Sequence, residues 1–511
     1  MKGNNLMKNM SIIIWCFLSS MTVFAQQKVY DITLYGAKAG LKIVNTLYIQ
    51  KAIDAAALAG GGKVLIPAGI YITGPLVLKT GVELNLDDNA LLLGTNKRLD
   101  YTHDKLALIS ARGQQNIAIT GNGIIDGQGR ELVENVLSLL RQGLIKDSEW
   151  LIKRPTGDNR PAIFSFYKCN NLNIKGITIK NSASWVQNYS KCSNVLIDHI
   201  KVESTAYWNN DGIDIVDSKN VKITNSFINS ADDGICLKSE DKNDLCENIY
   251  AADDTIRSSA SAFKIGTGSS GGFKHIIARR LVIFDTYRSA IALESVDGAT
   301  LEDIDISDVV AKNTGNAIFL RLGHRNNDER YSTMKHVYIA NVKAEIPAAK
   351  PDIGYPVEGP PPKVRPHNLL PVAIVGIPGH PIEDVTLENI EITYGGKASR
   401  NIACISTDSL NTVTENIAGY PEFSMFGELP AWGLYVRHAK NIKLKNIHLD
   451  LLTSDFRPTM VFDDVNTIAI DSLHLPGDVV RPAIILNQVS NPVLKDLDLP
   501  LPGDKDLVKI Q

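Results

Sequence analysis

Three aspartates in one short stretch of the chain could carry out acid and base chemistry together. Asp211 lies in the string NNDGIDI, and Asp232 and Asp233 lie in the string ADDGICL. Each string runs into a Gly-Ile strand, so the acids come together if the two strands are successive rungs of one coil. Carboxylates crowded in this way repel each other, which raises the pKa of at least one of them. Such a cluster favours an enzyme that pairs a protonated with an ionised carboxyl group.

A repeated phrase along the chain indicates the element that positions these acids. It reads NNLNIKGITI from Asn170, SNVLIDHIKV from Ser193 and KNVKITNSFI from Lys219, and it recurs to Lys440. The early copies follow one another at intervals of roughly 25 residues, which is typical of solenoids. Each copy holds short alternating strands and no long helix, so the units are β-coils with aliphatic side chains inside and polar ones outside.

A second repeat runs in phase with the first and predicts the outer surface of one face. It opens each strand with Gly or Ala, as in Gly212-Ile-Asp-Ile and Gly234-Ile-Cys-Leu. Stacking these strands puts Asp211 beside Asp233 and Ser261. We expect the acids to lie in a saccharide groove lined by cations and flat rings, namely Lys238, Lys264, Arg321, Phe319 and Tyr435.

The first coil and three insertions complete the predicted architecture. A helix that starts near Thr46 and ends at Gly60 is expected to cover the open N-terminal end of the stack. Insertions are expected near residues 129–160, which has a helical middle, 345–382, which is rich in proline, and 405–432. Because loops on a rigid stack often form the binding face, these insertions should shape the groove. The sequence predicts one β-coil domain over residues 26–511.

Composition and the N-terminal sequence indicate which partners and which compartment to expect. The chain has 511 residues and a net charge of -3, without a run of Lys or Arg, so nucleic acid and acidic membranes are not expected partners. Residues 1–25 resemble a signal peptide, with basic residues, the apolar run Ile12–Phe24 and a cleavage site near Ala25. We therefore expect a secreted or periplasmic protein without a membrane span, and a monomer.

The cysteines give little sign of a structural bridge or a metal centre. Five cysteines follow the signal peptide, without a CxxC motif or a Cys/His cluster. A disulfide framework and a zinc site are therefore not expected. Cys236 and Cys246 could pair locally, but buried free thiols are the preferred interpretation.

The two acidic strings also carry a family resemblance. Asn209-Asn210-Asp211 is similar to the Asn-Thr-Asp motif, and Asp232-Asp233 to the Asp-Asp motif, of glycoside hydrolase family 28, the polygalacturonases and their relatives. The resemblance extends over the whole mature chain and implies a right-handed parallel β-helix. It implies that Asp232 is the general acid, that Asp211 and Asp233 hold and activate water, and that the reaction inverts the anomeric carbon without a cofactor or metal.

The chain departs from the family pattern at two further motifs. Ser261 stands where the family has the histidine of Gly-His-Gly, and Ala292-Leu293-Glu294 stands where it has Arg-Ile-Lys. Lys264 and Arg321, on neighbouring rungs, could supply replacement charge, and Arg288 and the segment 321–325 are further candidates. The full set of expected substrate-binding residues is Asn209, Lys238, Ser261, Lys264, Glu294, Arg321 and His324.

The resemblance predicts an inverting glycosidase that acts on pectin-type polysaccharide or oligosaccharide. An exo mode is favoured, because long late insertions could close the groove at one end. One alternative is a β-helical polysaccharide lyase, which would abstract a proton and leave an unsaturated product. Another is a β-helical carbohydrate-binding protein that has lost its activity, since the family His and Arg-Ile-Lys are missing.

Overall fold

The computed structural model describes residues 28–102, 106–349, 351, 364–477, 479–498 and 507–511. In this part of the chain, parallel strands coil around one elongated hydrophobic core. The predicted fold, an all-β right-handed parallel β-helix, is confirmed. The predicted signal peptide, residues 1–25, lies outside the described residues.

The coils stack three parallel sheets, here called sheets 1, 2 and 3. Sheet 1 contains Val29–Asp31, Gly62–Ile66, Val82–Leu86, Gln115–Gly121, Asn170–Lys175, Ser193–Asp198, Lys219–Thr224 and Cys246–Ala252. Sheet 2 contains Gly40–Val44, Gly69–Thr73, Ala90–Gly94, Ile124–Asp126, Thr178–Lys180, Lys201–Ser204, Phe227–Ser230 and Thr255–Ser258. Sheet 3 contains Leu76–Val77, Ala107–Arg112, Ala162–Tyr167, Gln187–Ser190, Ile213–Val216, Ile235–Ser239, Phe263–Ser269, Val372–Val375 and Val508–Ile510.

Towards the C-terminus the strands lengthen and pass through the corners from one sheet to the next. These long strands are Gly272–Ser295, Thr300–Leu322, Thr333–Ile346, Ile382–Tyr394, Leu434–Leu451, Met460–His474 and Ile484–Asp498. Each pairs in parallel with the strands of the coils before and after it. The stacking repeats the same side-chain positions on every coil, which keeps one column of residues in line with the next.

Asparagines occupy many coil corners because these corners need a left-handed backbone. Asn194, Asn220 and Asn248 have φ of 56°, 56° and 55°, a region that Asn tolerates better than most residues. Their side chains form a ladder: the amide of Asn220 donates to Asn194 at 3.2 Å, and that of Asn248 to Asn220 at 3.1 Å. The corners therefore fix the phase of successive coils.

Two α-helices flank the stack. Helix α1, Thr46–Leu58, buries Ile49, Ala52, Ile53 and Ala56 against the first coil, which confirms the predicted cap. Helix α2, Gly129–Arg141, begins at the first residue of the first insertion, whereas the sequence pattern placed the helical part in its middle. Short 3-10 helices span Ile32–Tyr35, Arg98–Asp100, Gly157–Asn159 and Leu410–Thr412. Among the described residues, no helix combines the length and apolar character that a membrane crossing requires.

The two later insertions differ from their prediction in one important respect. The strand Val372–Val375 lies within the predicted insertion 345–382 and completes a rung of sheet 3 between Phe319 and Tyr435. A four-residue apolar strand next to a proline-rich run carries too weak a pattern to be recognised in the sequence. The 405–432 segment packs on the outer face of the same rungs, where Phe319 and Tyr435 join its apolar side chains in a second core.

The described cysteines are free thiols. The Sγ atoms of Cys236 and Cys246 instead donate to the carbonyl oxygens of Gly266, at 3.2 Å, and Lys238, at 3.0 Å. The local Cys236–Cys246 bridge is therefore not formed, and the preferred interpretation as buried thiols holds for this pair.

Candidate active site

The acidic cluster lies on the outer face of sheet 3, where two strands begin. Ile213 pairs with Ile235 in the parallel register, and the N–H of Gly212 donates to the carbonyl oxygen of Asp233 at 2.9 Å. This register stacks Asp211 on Asp233, as the sequence predicts. A carboxylate oxygen of each lies within 4.8 Å of the other and of the Cys236 Sγ.

Asp233 is held in its ionised form by groups from the next coil. The Lys264 Nζ lies 2.9 Å from its Oδ2, and the backbone N–H of Ser261 donates to its Oδ1 at 3.0 Å. Burial opposes ionisation, but the positive charges of Lys264, Lys238 and Arg288 outweigh it and lower the pKa of Asp233. Asp233 is therefore suited to accept a proton.

Asp232, the neighbouring residue, has the opposite character. Its Oδ1 accepts the N–H of Asp233 at 3.0 Å, and its Oδ2 accepts the amide of Asn209 at 3.3 Å. Burial, followed by the negative charges of Asp211 and Asp233, raises the pKa of Asp232 to about 7. Asp232 therefore keeps its proton up to near-neutral pH and can donate it.

Lys238 lies between Asp211 and a fourth acid, Asp214. Its Nζ is 3.1 Å from the Asp211 Oδ2 and also contacts the carboxylate of Asp214. Burial raises the pKa of both acids, although Lys238 opposes this shift. The Lys238 ammonium also lies 4.3 Å from the centre of the Trp185 ring. The charge of Lys238 therefore lies within the carboxylate cluster, between two buried acids, and its predicted role in substrate binding stays a prediction.

Asn209 links the first insertion to Asp232. Its Oδ1 accepts the Nε of Arg154 and the Nη2 of Arg160, each at 2.9 Å. These two bonds leave the amide N–H free to face Asp232. Arg160 is buried and also donates to the carbonyl oxygen of Trp208 at 2.7 Å. The sequence pattern placed Asn209 among the substrate-binding residues and gave no sign of these arginines.

Lys264 also reaches the opposite wall of the site. Its Nζ lies 3.7 Å from the Glu294 Oε2 and 3.4 Å from the hydroxyl of Tyr420. Burial raises the pKa of Glu294 to about 7, although Lys264 opposes this shift. Arg288 lies near Asp232 and 3.6 Å from the carboxylate of Glu422. Tyr420 and Glu422 belong to the 405–432 segment, so this insertion forms part of the site.

The comparison with known families agrees with this arrangement. Residues 60–345 match the family model described as glycosyl hydrolases family 28. The chain belongs to this family.

The chain is similar in sequence to several polygalacturonases. An exo-poly-alpha-D-galacturonosidase of Dickeya chrysanthemi is 26% identical over 51% of this chain and 51% of its own length. An exopolygalacturonase of Zea mays is 27% identical over 75% of this chain and 82% of its own length. The match to the Dickeya protein thus spans about half of that relative. The crystal structure of an exopolygalacturonase from Thermotoga maritima has a TM-score of 0.60 at 20% identity, over 83% of this chain and 92% of that one, which shows the shared fold.

Two positions where family 28 motifs are replaced lie next to Asp233 and its partner Lys264. Ser261, in place of the family histidine, contributes its backbone N–H to Asp233. Glu294, in place of the family lysine, faces the Lys264 that bonds Asp233. The cation of this region therefore stands one rung before the motif position. Lys264 was predicted to bind substrate; its ammonium contacts Asp233, and its role in substrate binding stays a prediction.

The predicted position of Arg321 in the groove is wrong. The prediction placed its charge in the groove, but its side chain is fully buried under the 405–432 segment. Its guanidinium donates to the carbonyl oxygens of Gly376, at 2.8 Å, and Glu415, at 2.7 Å. Arg321 therefore anchors the segment to the stack. Phe319 and Tyr435, expected as rings for sugar faces, are covered by the same segment.

His324 lies at the far corner of sheet 3, outside the carboxylate cluster. Its ring stacks on Tyr331 at 4.3 Å between centroids, and Tyr331 stacks on His380 at 3.7 Å. The Tyr331 ring lies between the two histidine rings, so His324 takes part in local packing. Nothing in the structure places it beside Asp232 or Asp233, and its predicted role in substrate binding stays a prediction.

Proposed function

We propose that this family 28 protein hydrolyses glycosidic bonds in pectin-type polysaccharides or oligosaccharides, with inversion at the anomeric carbon. The observation that carries the proposal is the opposite displacement of two adjacent acids. The pKa of Asp232 is raised to about 7, whereas that of Asp233 is lowered. Between these limits one carboxyl group is protonated and its neighbour ionised, which is the pairing that glycoside hydrolysis requires.

The residues divide the reaction between them. Asp232 donates its proton to the glycosidic oxygen of the leaving sugar, and the Asn209 amide fixes the direction of this carboxyl group. Asp233 takes a proton from the attacking water. Asp211, whose carboxylate lies within 4.8 Å of that of Asp233, accepts a second hydrogen bond from the same water. Water then attacks the face of the sugar opposite to the leaving oxygen, which inverts the configuration.

The named relatives and the charges of the site support a pectic substrate. Relatives from Zea mays and Pectobacterium carotovorum are an exopolygalacturonase and an endo-polygalacturonase. Arg288 brings positive charge close to Asp232, which suits a substrate that carries a carboxylate. An exo mode is supported by the 405–432 segment, which covers the outer face of sheet 3 at Phe319 and on the coils beyond it.

The proposal is tested by incubating the protein with a panel of pectic polysaccharides. We expect new reducing ends, and we expect proton NMR of the first product to show the inverted anomer. Absorption of the product in the ultraviolet would instead indicate an unsaturated sugar and therefore a lyase. Binding without any release of sugar, equal in the unmutated protein and in Asp232→Asn, would indicate an inactive carbohydrate-binding protein.

We also propose that the protein is secreted or periplasmic and acts as a monomer. The N-terminal sequence with its apolar run Ile12–Phe24 supports export. N-terminal sequencing of the mature protein should begin at Gln26, and light scattering should give the mass of one chain. A mature protein that keeps residues 1–25, or a dimer mass, would contradict these statements.

A further inference from the structure

A cavity of about 380 Å³ lies between described residues from both ends of the proline-rich insertion and the 405–432 segment. Its walls include Tyr287, Phe423, Arg365, His367 and Pro347. This volume falls in the range of small-molecule sites in proteins. Since the family match ends at residue 345, most of the wall comes from sequence outside the matched region.

The cavity is close enough to the acids for one saccharide chain to reach both. Arg288, which follows Tyr287 in the chain, donates its N–H to Ala260 at 2.9 Å and so lies one coil above it. Ala260 precedes Ser261, which in turn lies one coil above Asp233. Two coils correspond to about 10 Å at the usual spacing of strands. Phe423 likewise follows Glu422, the partner of Arg288.

The walls of the cavity are held in place by bonds to the stack. The amide of Asn313 donates to the carbonyl oxygen of Pro351, and that of Asn316 to Pro371 at 2.7 Å. On the far side, Arg457 donates to the carbonyl oxygen of Leu369 at 2.9 Å, and the amide of Asn368 donates to the Glu428 carboxylate at 2.9 Å. The described walls are therefore preformed.

The residues that line the cavity indicate which class of ligand it could bind. The rings of Tyr287 and Phe423 meet edge to face at 6.3 Å between centroids and offer apolar surface for the C–H face of a pyranose. Arg365 and His367 are exposed at the cavity and supply hydrogen-bond donors, and a planar guanidinium matches a carboxylate in two-point contact. An aromatic wall beside an arginine suits a sugar that carries a carboxylate.

We infer that this cavity is a distal subsite that binds a uronate unit of the same saccharide chain whose glycosidic bond lies at Asp232. The inference rests on the proposed function and adds a second point of attachment to it. A long oligosaccharide would reach the cavity, whereas a disaccharide at the acids would not. The cavity would therefore lower KM for long substrates and leave the chemical step unchanged.

The test compares the hydrolysis of a galacturonate disaccharide and hexasaccharide by the full chain and by Arg365→Ala and Phe423→Ala. Arg400→Ala is the matched control, because Arg400 is also exposed but lies at a different cavity, over the Phe456 ring. We expect KM for the hexasaccharide to rise about tenfold in Arg365→Ala, the usual effect of losing a charged hydrogen bond. We expect kcat, and both constants for the disaccharide, to stay unchanged.

Two results would overturn the inference in distinguishable ways. If the unmutated protein hydrolyses the hexasaccharide and both cavity variants show its KM, the cavity is not a subsite but the proposed function stands. If the unmutated protein hydrolyses neither saccharide, the proposed function fails and the subsite with it. Melting temperatures of all variants within the range of the control would show that the substitutions act on binding rather than on folding.

Discussion

Lys264 and Asp233 lie on successive coils of sheet 3 and meet with 2.9 Å between Nζ and Oδ2. Both side chains are almost fully buried. This contact gives the two adjacent acids different protonation states, because Lys264 stabilises the charge of Asp233 directly, whereas Asp232 keeps its proton next to that charge. The asymmetry of the site therefore depends on a lysine that follows from neither the Asn-Asn-Asp nor the Asp-Asp motif.

Lys264→Met should impair proton acceptance by Asp233 more than proton donation by Asp232. Without the ammonium, burial raises the pKa of Asp233, so the acid limb of the kcat/KM profile should move to higher pH. We expect kcat to fall about a hundredfold or more, the usual contribution of a positioned general base. Lys222→Met, at an exposed lysine over the Tyr250 ring, is the control. An acid limb that stays in place would show that Lys264 does not hold Asp233 ionised.

Asn209→Gly tests the hydrogen bond from Asn209 to Asp232, the proposed general acid. The amide N–H of Asn209 stabilises the ionised form of Asp232, so its removal should raise the pKa of Asp232 above its value of about 7. The alkaline limb of kcat/KM, at which Asp232 loses its proton, should therefore move to higher pH, and kcat should fall. Glycine suits the left-handed backbone here, since Asn209 has φ of 58°.

The matched control for this variant is Asn220→Gly. Asn220 has nearly the same backbone, with φ of 56°, but lies in the exposed ladder at a coil corner. A shift of the alkaline limb in Asn220→Gly, or its absence in Asn209→Gly, would contradict the positioning role of Asn209.

Arg321→Met should first destabilise the packing of the 405–432 segment, and substrate affinity should change less. The loss of bonds to the carbonyl oxygens of Gly376 and Glu415 leaves buried acceptors unpaired, at a cost of about 1–3 kcal/mol each. We expect a lower melting temperature and faster proteolysis within the segment. A variant with unchanged stability and proteolysis but a raised KM would restore the prediction that Arg321 binds substrate.

Asp254 predicts how stability depends on pH apart from the active site. It is fully buried, its Oδ1 accepts the N–H of Ser226 at 2.9 Å, and burial raises its pKa to about 7 from an ordinary value of 3.8. Because the folded state holds the proton more tightly, its contribution is fully present below pH 3.8 and is lost as pH rises through about 7.

Asp254→Asn should therefore weaken the decline of unfolding free energy with pH. Each pH unit between these two pKa values costs the unmutated protein up to ~1.4 kcal/mol through this group. Denaturant unfolding at pH 5 and pH 8 measures the difference, and Asp285→Asn, at a partly exposed acid of a nearby coil, is the control. Parallel stability curves for Asp254→Asn and the unmutated protein would contradict the prediction.

The features that repeat were predictable from the sequence. The Gly-Ile strands that follow Asp211 and Asp233 set the phase of the coils, and this phase alone stacks the two acids. The asparagine ladders and the α1 cap follow from equally local patterns. In a stack of parallel strands, a period read from the sequence translates directly into contacts between coils.

The features that the sequence did not predict belong to irregular segments. Arg154 and Arg160 lie 55 and 49 residues before Asn209 in the chain and contact it from the first insertion. No sequence repeat relates this insertion to the coil that carries Asn209. Phe319 and Tyr435 point outward as predicted, but the 405–432 segment packs on them. The prediction that these side chains point outward from the coil was therefore correct, but the prediction that they are exposed was wrong. Exposure depends on how the segments outside the repeats fold back over the stack.

The central claim is that Asp232 is the acid and Asp233 the base, and substrates with different leaving groups test it most directly. A nitrophenyl leaving group departs without a proton, whereas a sugar needs one. Asp232→Asn should lose almost all activity on a pectic oligosaccharide but retain most of its activity on the corresponding nitrophenyl α-glycoside. Asp233→Asn should lose activity on both. Equal losses on both substrates for Asp232→Asn, or a nitrophenyl substrate spared by Asp233→Asn, would contradict the assignment.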